Sequence, residues 1–147
     1  MISIPSENLS ANNIPPASHC NCIVCGSKNP ASLGISFELQ PDSSILAQFR
    51  GNALLQGYKG ILHGGIIASI LDAAMTHCLF KNGIEAVTAD LNVRFKHSIP
   101  YDALIDVTAK IISDQKIIYR LDSNIHMDGK LMAKANARFM LPQPNRI

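Results

Sequence analysis

The sequence predicts an α+β domain in which an antiparallel sheet wraps around one long central helix, and three observations carry that expectation. Gly64 to about Phe80 reads Gly-Gly-Ile-Ile-Ala-Ser-Ile-Leu-Asp-Ala-Ala-Met-Thr-His-Cys-Leu-Phe, without proline and apolar on nearly every side of the helical wheel. A helix greasy all round is a buried helix. From Val87 onward the apolar period changes to two, the mark of strands with one buried face, and it recurs in four segments. Strands that follow one helix as a meander must bury their apolar face against it.

In chain order, residues 1–18 are rich in Ser, Asn and Pro without a hydrophobic period, so an irregular arm is expected there. A single domain over 19–141 follows, and 142–147, with Pro142 and Pro144, form a tail. The domain opens on His19-Cys20-Asn21-Cys22-Ile23-Val24-Cys25, which holds three of the four cysteines. His19, Cys20, Cys22 and Cys25 formally supply four zinc ligands, but structural zinc sites draw on two separated pairs, and no second pair exists. The segment is therefore read as a turn with reduced thiols, and no metal is assigned. Ile35, Phe37 and Leu39 alternate with other residues, and after the turn Pro41-Asp42-Ser43-Ser44 the run Ile45-Leu46-Ala47-Gln48-Phe49 returns as the second arm of a hairpin. Lys81-Asn82-Gly83 stops the helix, since Gly83 suits the left-handed position past a helix end. Val87, Ala89, Leu91, Val93 and Phe95 are then expected on a buried face, with Thr88, Asp90, Asn92, Arg94 and Lys96 on the other. The same alternation runs through Ile105–Ile111, Ile117–Met127 and Leu131–Phe139, and Asp128-Gly129 makes a hairpin turn between the last two.

A chain of 147 residues has the common size of one domain and buries enough apolar surface to fold without a staple. Charged residues make up 16% of it, below the usual share of about a quarter, and extensive subunit contact would account for the deficit. The formal charge of +2 is far from what a protein needs to neutralise many phosphates, so nucleic acid is not an expected partner. Met1-Ile2-Ser3-Ile4-Pro5 has neither a basic leader nor an apolar run, and no stretch approaches the ~20 apolar residues of a membrane span. A cytoplasmic protein with no membrane partner is expected.

Asp72 is the anomaly of the helix. In the middle of its least polar stretch, a charged carboxylate costs on the order of several kcal/mol unless partners offset it. Such a residue either has a chemical task or faces solvent or caps a neighbour. Gly64 and Gly65 expose backbone N–H groups at the positive end of the helix dipole, which suits a developing oxyanion, a phosphate or a plain tight turn. Gly64 is the preferred donor, with Gly65 beside it as a binding position. His63 either orients substrate or serves the structure. Along one helix Gly64 and Asp72 sit ~12 Å apart at ~1.5 Å per residue, too far for one small reacting group to touch both. If the two act together, the acid meets the glycine of a second subunit across a two-fold axis, in a homodimer with two shared sites.

The segment Gly60-Ile61-Leu62-His63-Gly64-Gly65-Ile66-Ile67-Ala68-Ser69-Ile70-Leu71-Asp72 resembles the helix-start motif of hotdog-fold thioesterases of the phenylacetate-pathway type. The resemblance continues in Val87–Phe95, similar to the strand after the hotdog helix, and in Cys22-Ile23-Val24-Cys25-Gly26, similar to the N-terminal segment of some bacterial members. It implies a hotdog fold with five or six strands, a homodimer often paired again into a tetramer, and hydrolysis of acyl-CoA without metal or other cofactor. It also implies that Asp72 is the nucleophile or general base, that Gly64 N–H polarises the thioester carbonyl, and that Thr88 helps hold the water, although threonine is common in strands on its own account. Two departures stand out. Gly57 occupies the position six residues ahead of the histidine where some relatives place an asparagine, and Ala73 follows Asp72 where similar bacterial sequences have a second acid.

Rival chemistry lacks its motifs: there is no Gly-x-Ser-x-Gly elbow, Walker loop or His-Glu-x-x-His. Cys78 sits in an apolar setting without the base and exposure a nucleophile needs. Arg94 and Lys96 are either contacts for the phosphates of coenzyme A or solvated charges. The expected function is hydrolysis of an acyl-CoA thioester, with non-catalytic acyl-CoA binding in the same cleft as the alternative. A hotdog hydratase would need an Asp and a His at their own spacing, which is absent.

Overall fold

The computed structural model describes residues 16–142. Most of the arm expected at 1–18 and of the tail expected at 142–147 therefore lies outside the described residues. β1 (Glu38–Leu39) and β2 (Ile45–Arg50) form the expected hairpin, and α1 runs Gly64–Lys81. β3 (Val87–Phe95), β4 (Leu104–Asp114), β5 (Ile118–Met127) and β6 (Lys130–Met140) follow. All neighbours pair antiparallel in one six-stranded sheet of order β1-β2-β4-β5-β6-β3. This is the hotdog architecture: one long helix held against the inner face of a curved antiparallel sheet. No helix among the described residues is long and apolar enough to cross a membrane.

Local chemistry sets the element ends. Met127 pairs with Lys130 across a two-residue loop in which Asp128 and Gly129 have φ of 50° and 78°. Two positive φ values in succession are what a tight hairpin twisted like its strands requires. At the end of α1, Asn82 donates its side-chain amide to the Cys78 carbonyl at 2.7 Å, and Gly83 turns the chain away at φ 79°.

The helix is enclosed on more than one side because it has no polar stripe. Between Ile70 and Leu79 every residue but Asp72 is buried. The sheet covers one flank, with Ile105, Val107, Leu121, Ile125 and Phe139 at most 1% exposed. Ser123, fully buried, donates to the Leu71 carbonyl at 3.2 Å and so ties β5 to the helix one residue before Asp72. The segment before β1 covers another flank: the His77 ring stacks on Phe37 at 4.5 Å and meets His19 and Phe80 edge-on.

β3 departs from the sequence expectation in two ways. It forms the last strand of the sheet, and instead of a half-buried face it exposes all of its residues except the partly buried Val93. Among the described residues no strand pairs beyond it. Its alternation is also broken by a β-bulge, because Thr88 pairs with Phe139 while Asp90 pairs with Arg138, leaving Ala89 as the extra residue. Residues directly opposite share a face. Thr88 therefore lies on the helix side with the buried Phe139, and Val87, opposite Met140, lies on the outer side. Leu91, Val93 and Phe95, opposite Ala137, Ala135 and Ala133, keep their expected face.

The enclosure of α1 makes its core side chains costly to truncate. Leu71→Ala, at a site with no exposed surface, is expected to lower unfolding free energy by about 3 kcal/mol, read from the urea midpoint at unchanged slope.

Candidate active site

α1 supplies both halves of the site. At its N-terminus His63 is the N-cap: its Nδ1 accepts the Gly65 N–H at 2.8 Å. That bond fixes which amide is free. Ile66 and Ile67 N–H both donate to the His63 carbonyl, Gly65 N–H is taken by the imidazole, and Gly64 N–H has no acceptor among the described residues. An orphan donor at the positive end of an eighteen-residue helix is a ready acceptor site for negative charge. Gly65, expected to bind substrate, offers no free amide for it. Gly64 lies beside Phe95: a Cβ on it would sit in ordinary contact with that ring, at 3.5 Å.

The same end borders a cleft of about 390 Å³ lined by Gly57, Tyr58, Ile61, Leu62, His63 and Gly64. Gly57, the position that departs from some relatives, lies directly against His63: a Cβ on it would fall 3.2 Å from the imidazole Cδ2. A side chain at position 57 would therefore crowd the imidazole.

Two turns further along, Asp72 is the half-buried residue in an otherwise buried stretch, and Thr88 Oγ1 donates to its Oδ1 at 2.7 Å. Burial pushes the Asp72 pKa above the ordinary carboxylate range, while the Thr88 hydrogen bond and the nearby His19 pull it back. Asp72 has no cation within ion-pair distance among the described residues. The arrangement leaves a carboxylate more basic than usual, beside a hydroxyl, next to exposed strand surface. The threonine reaches it only because of the Ala89 bulge.

Arg94, opposite Lys134 on β3, and Lys96, just past the end of the strand, flank Phe95 in sequence, and both are exposed. Together with Phe95 and His97 they border an open depression of about 570 Å³. The structure therefore brings Asp72 to Thr88, and Gly64 to Phe95, which Arg94 and Lys96 adjoin in sequence. It does not join the two groups, which occupy separate stretches of one helix. Sequence reasoning missed the approach of His19 to this helix, and no local signal announces it across more than fifty intervening residues. Cys78 is fully buried with its thiol pushed up to about 11, which leaves it unsuited to nucleophilic attack.

Because folding raises the Asp72 pKa, the folded chain holds that proton more tightly than the unfolded chain. The ionised form therefore costs stability once pH rises through the folded pKa, and the cost vanishes below the ordinary carboxylate range. Asp72→Asn is expected to melt above the wild type at neutral pH, with the gap closing on acidification, as followed by calorimetry over a pH series. A wild type that melts higher at neutral pH would show that the carboxylate is stabilised rather than strained.

Comparison with known proteins bears on the fold and on the helix segment. Residues 59–116, which carry α1 and β3, match the thioesterase superfamily. The chain is similar to acyl-coenzyme A thioesterase THEM4 of Rattus norvegicus, 30% identical over 120 residues that cover 77% of this chain and 52% of the relative. It thus spans about half the length of the curated relatives it matches. A crystal structure of a thioesterase superfamily protein superposes with a TM-score of 0.74 at 23% identity, covering 78% of this chain and 60% of the other. A hypothetical thioesterase from Streptococcus pneumoniae TIGR4, solved with coenzyme A, superposes with a TM-score of 0.68 at 16% identity, covering 72% of this chain and 86% of the other. The helix-on-sheet architecture is the fold of solved thioesterase superfamily proteins, and the segment that carries α1 and β3 is similar to the thioesterase superfamily.

Proposed function

We propose that the chain is an acyl-CoA thioesterase that works as a homodimer, with Asp72 as general base and Gly64 N–H as oxyanion donor. The observation that carries this reading is the pairing of a half-buried, proton-seeking carboxylate with the Thr88 hydroxyl, on the helix whose first amide is unpartnered. The relative named acyl-coenzyme A thioesterase and the solved neighbour holding coenzyme A support a CoA thioester as the substrate.

The exposed edge of β3 supports dimerisation. β3 is an exposed edge strand of nine residues, with Leu91 and Phe95 uncovered on its helix-facing side, and an open apolar edge is a liability unless a partner strand covers it. Along this strand Thr88 marks the Asp72 end and Phe95 marks the Gly64 end. A second β3 paired antiparallel about a two-fold axis reverses that order. Asp72 then faces Gly64 of the partner subunit, which removes the ~12 Å separation within one helix.

In this arrangement a water beside the Asp72–Thr88 pair gives its proton to the carboxylate as its oxygen attacks the thioester carbonyl. Charge developing on the carbonyl oxygen is met by the Gly64 N–H of the partner subunit, at the positive end of its helix. When the C–S bond breaks, the carboxylic acid remains and the CoA thiolate leaves, taking up a proton from Asp72 or solvent. In this reading Arg94 and Lys96 meet the phosphates of the coenzyme.

Asp72→Ala is expected to lower turnover by about 10²–10⁴-fold, the usual worth of a positioned general base, while leaving the dimer folded. Release of free thiol from aromatic, short-chain and long-chain acyl-CoAs measures it, and undiminished hydrolysis would refute the role. Stabilisation by acyl-CoA with no thiol release from any of them would favour a binding module instead.

Leu91→Arg, which puts a charge on the uncovered inner face of β3, is expected to yield monomers near the chain mass of 15.9 kDa and to abolish turnover, where the wild type sediments at twice that mass or a multiple of it. An active wild-type monomer in the same sedimentation experiment would remove the shared-site mechanism.

A further inference from the structure

Away from the helix site, one other cluster of ligand-type side chains occurs among the described residues. The sequence offers His19, Cys20, Cys22 and Cys25 as a formal quartet, and the structure selects three of them: one ring nitrogen of His19 and the Sγ atoms of Cys22 and Cys25 all lie within 4.8 Å of one another. Cys20 stays outside that group. Cys25 Sγ is 3.8 Å from His19 Nδ1, and all three cysteines are free thiols.

These separations fit a tetrahedral soft metal. Ligand atoms held ~2.0–2.3 Å from zinc lie about 3.6–3.8 Å apart, so the observed cluster needs to contract by at most about 1 Å. The loop is shaped for it. Gly26 N–H bonds back to the Cys22 carbonyl at 2.8 Å, Lys28 N–H to the Cys20 carbonyl at 2.8 Å and Cys22 N–H to the His19 carbonyl at 3.1 Å. Val24 N–H points at Cys22 Sγ at 3.4 Å, a backbone donor that stabilises a thiolate more than a thiol. The winding is so tight that a Cβ on Gly26 would fall 2.4 Å from Cys22 N and 2.6 Å from the Cys20 and Cys22 carbonyl oxygens. Only glycine permits it.

We propose that His19, Cys22 and Cys25 form a zinc-class metal site, with water in the fourth position, that clips the N-terminal segment to the flank of α1. As the two Zn–S bonds form, Cys22 and Cys25 each release their thiol proton to solvent. His19 binds through an unprotonated ring nitrogen, so metal and ligands sum to zero charge. A neutral assembly suits a place where Cys25 is buried and the other two ligands are half-buried. The clip lands on α1, because the His19 ring packs edge-on to Phe80 at 4.8 Å and to His77 at 6.3 Å. Those two residues sit on the same helix as Asp72, a little over one and two turns beyond it. The metal would therefore hold the helix in place without touching substrate, and the proposal is independent of the thioesterase reading.

The test titrates the full-length, reduced, metal-free chain with Co²⁺ and then Zn²⁺. Expected are a thiolate-to-cobalt charge-transfer band saturating at one equivalent per chain, its loss on adding one equivalent of Zn²⁺, release of about two protons per metal bound, and a Tm raised by Zn²⁺. Cys22→Ser and Cys25→Ser should lose the band, while Cys20→Ser should keep it. The proposal is overturned if the wild-type chain binds neither metal, if binding gives no charge-transfer band and no proton release, or if Cys20→Ser abolishes the band as the other two variants do. The wild-type titration decides the matter even where a cysteine variant fails to fold.

Discussion

The structure depends on one constraint: a helix of eighteen residues with no polar stripe has to be enclosed. Most surface helices need cover on one face only, but here burial extends around the wheel from Ile70 to Leu79. The sheet closes one flank with branched and aromatic side chains, the segment ahead of β1 closes another with Phe37 and His19, and Ser123 satisfies a helix carbonyl from the sheet side. What the described residues leave uncovered is the side where β3 ends the sheet. The features of functional interest lie along that margin.

Asp72 belongs to this enclosure and resists it. Desolvation raises its proton affinity, and the Thr88 hydroxyl supplies a hydrogen bond to the charged form. A carboxylate fully paired with a cation would be too weak a base to activate water, and one left wholly unpartnered in the interior would stay protonated. A half-buried acid with one neutral donor falls between these limits. The helix thus carries a local cost in stability at the point where the proposed chemistry needs a base. At its other end, His63 occupies one N-terminal amide and leaves its neighbour free, so the residue read as orienting substrate or serving the structure acts here as a cap that singles out Gly64.

Two loops show how backbone conformation places side chains in this fold. Asp128 and Gly129 take left-handed conformations to bring β5 and β6 together in register. Gly26 has no room for a side chain and lets the Cys22–Cys25 segment fold back on itself, which sets His19 and two thiols around one point. The first organises the core, and the second organises the cover over the helix.

The periodicities along the chain determined the helix, its glycine stop, the four long strands, the hairpin turns and the isolation of Asp72 in an apolar stretch, because each of these is decided by residues within a few positions of one another. The HGG-to-Asp spacing likewise pointed to the two halves of the site. Three matters were left to the tertiary structure. The bulge at Ala89 turns Thr88 toward Asp72, and a bulge is a mismatch between two strands that alternation within one strand cannot register. The placement of β3 at the sheet edge leaves exposed a face that its pattern marks as buried, since burial depends on what lies beyond the strand and not on the strand itself. The choice of three ligand-type residues from four around Cys22 depends on how a tight loop folds back on itself. Sequence spacing sets which atoms can meet within an element, and only packing between elements decides which of them do.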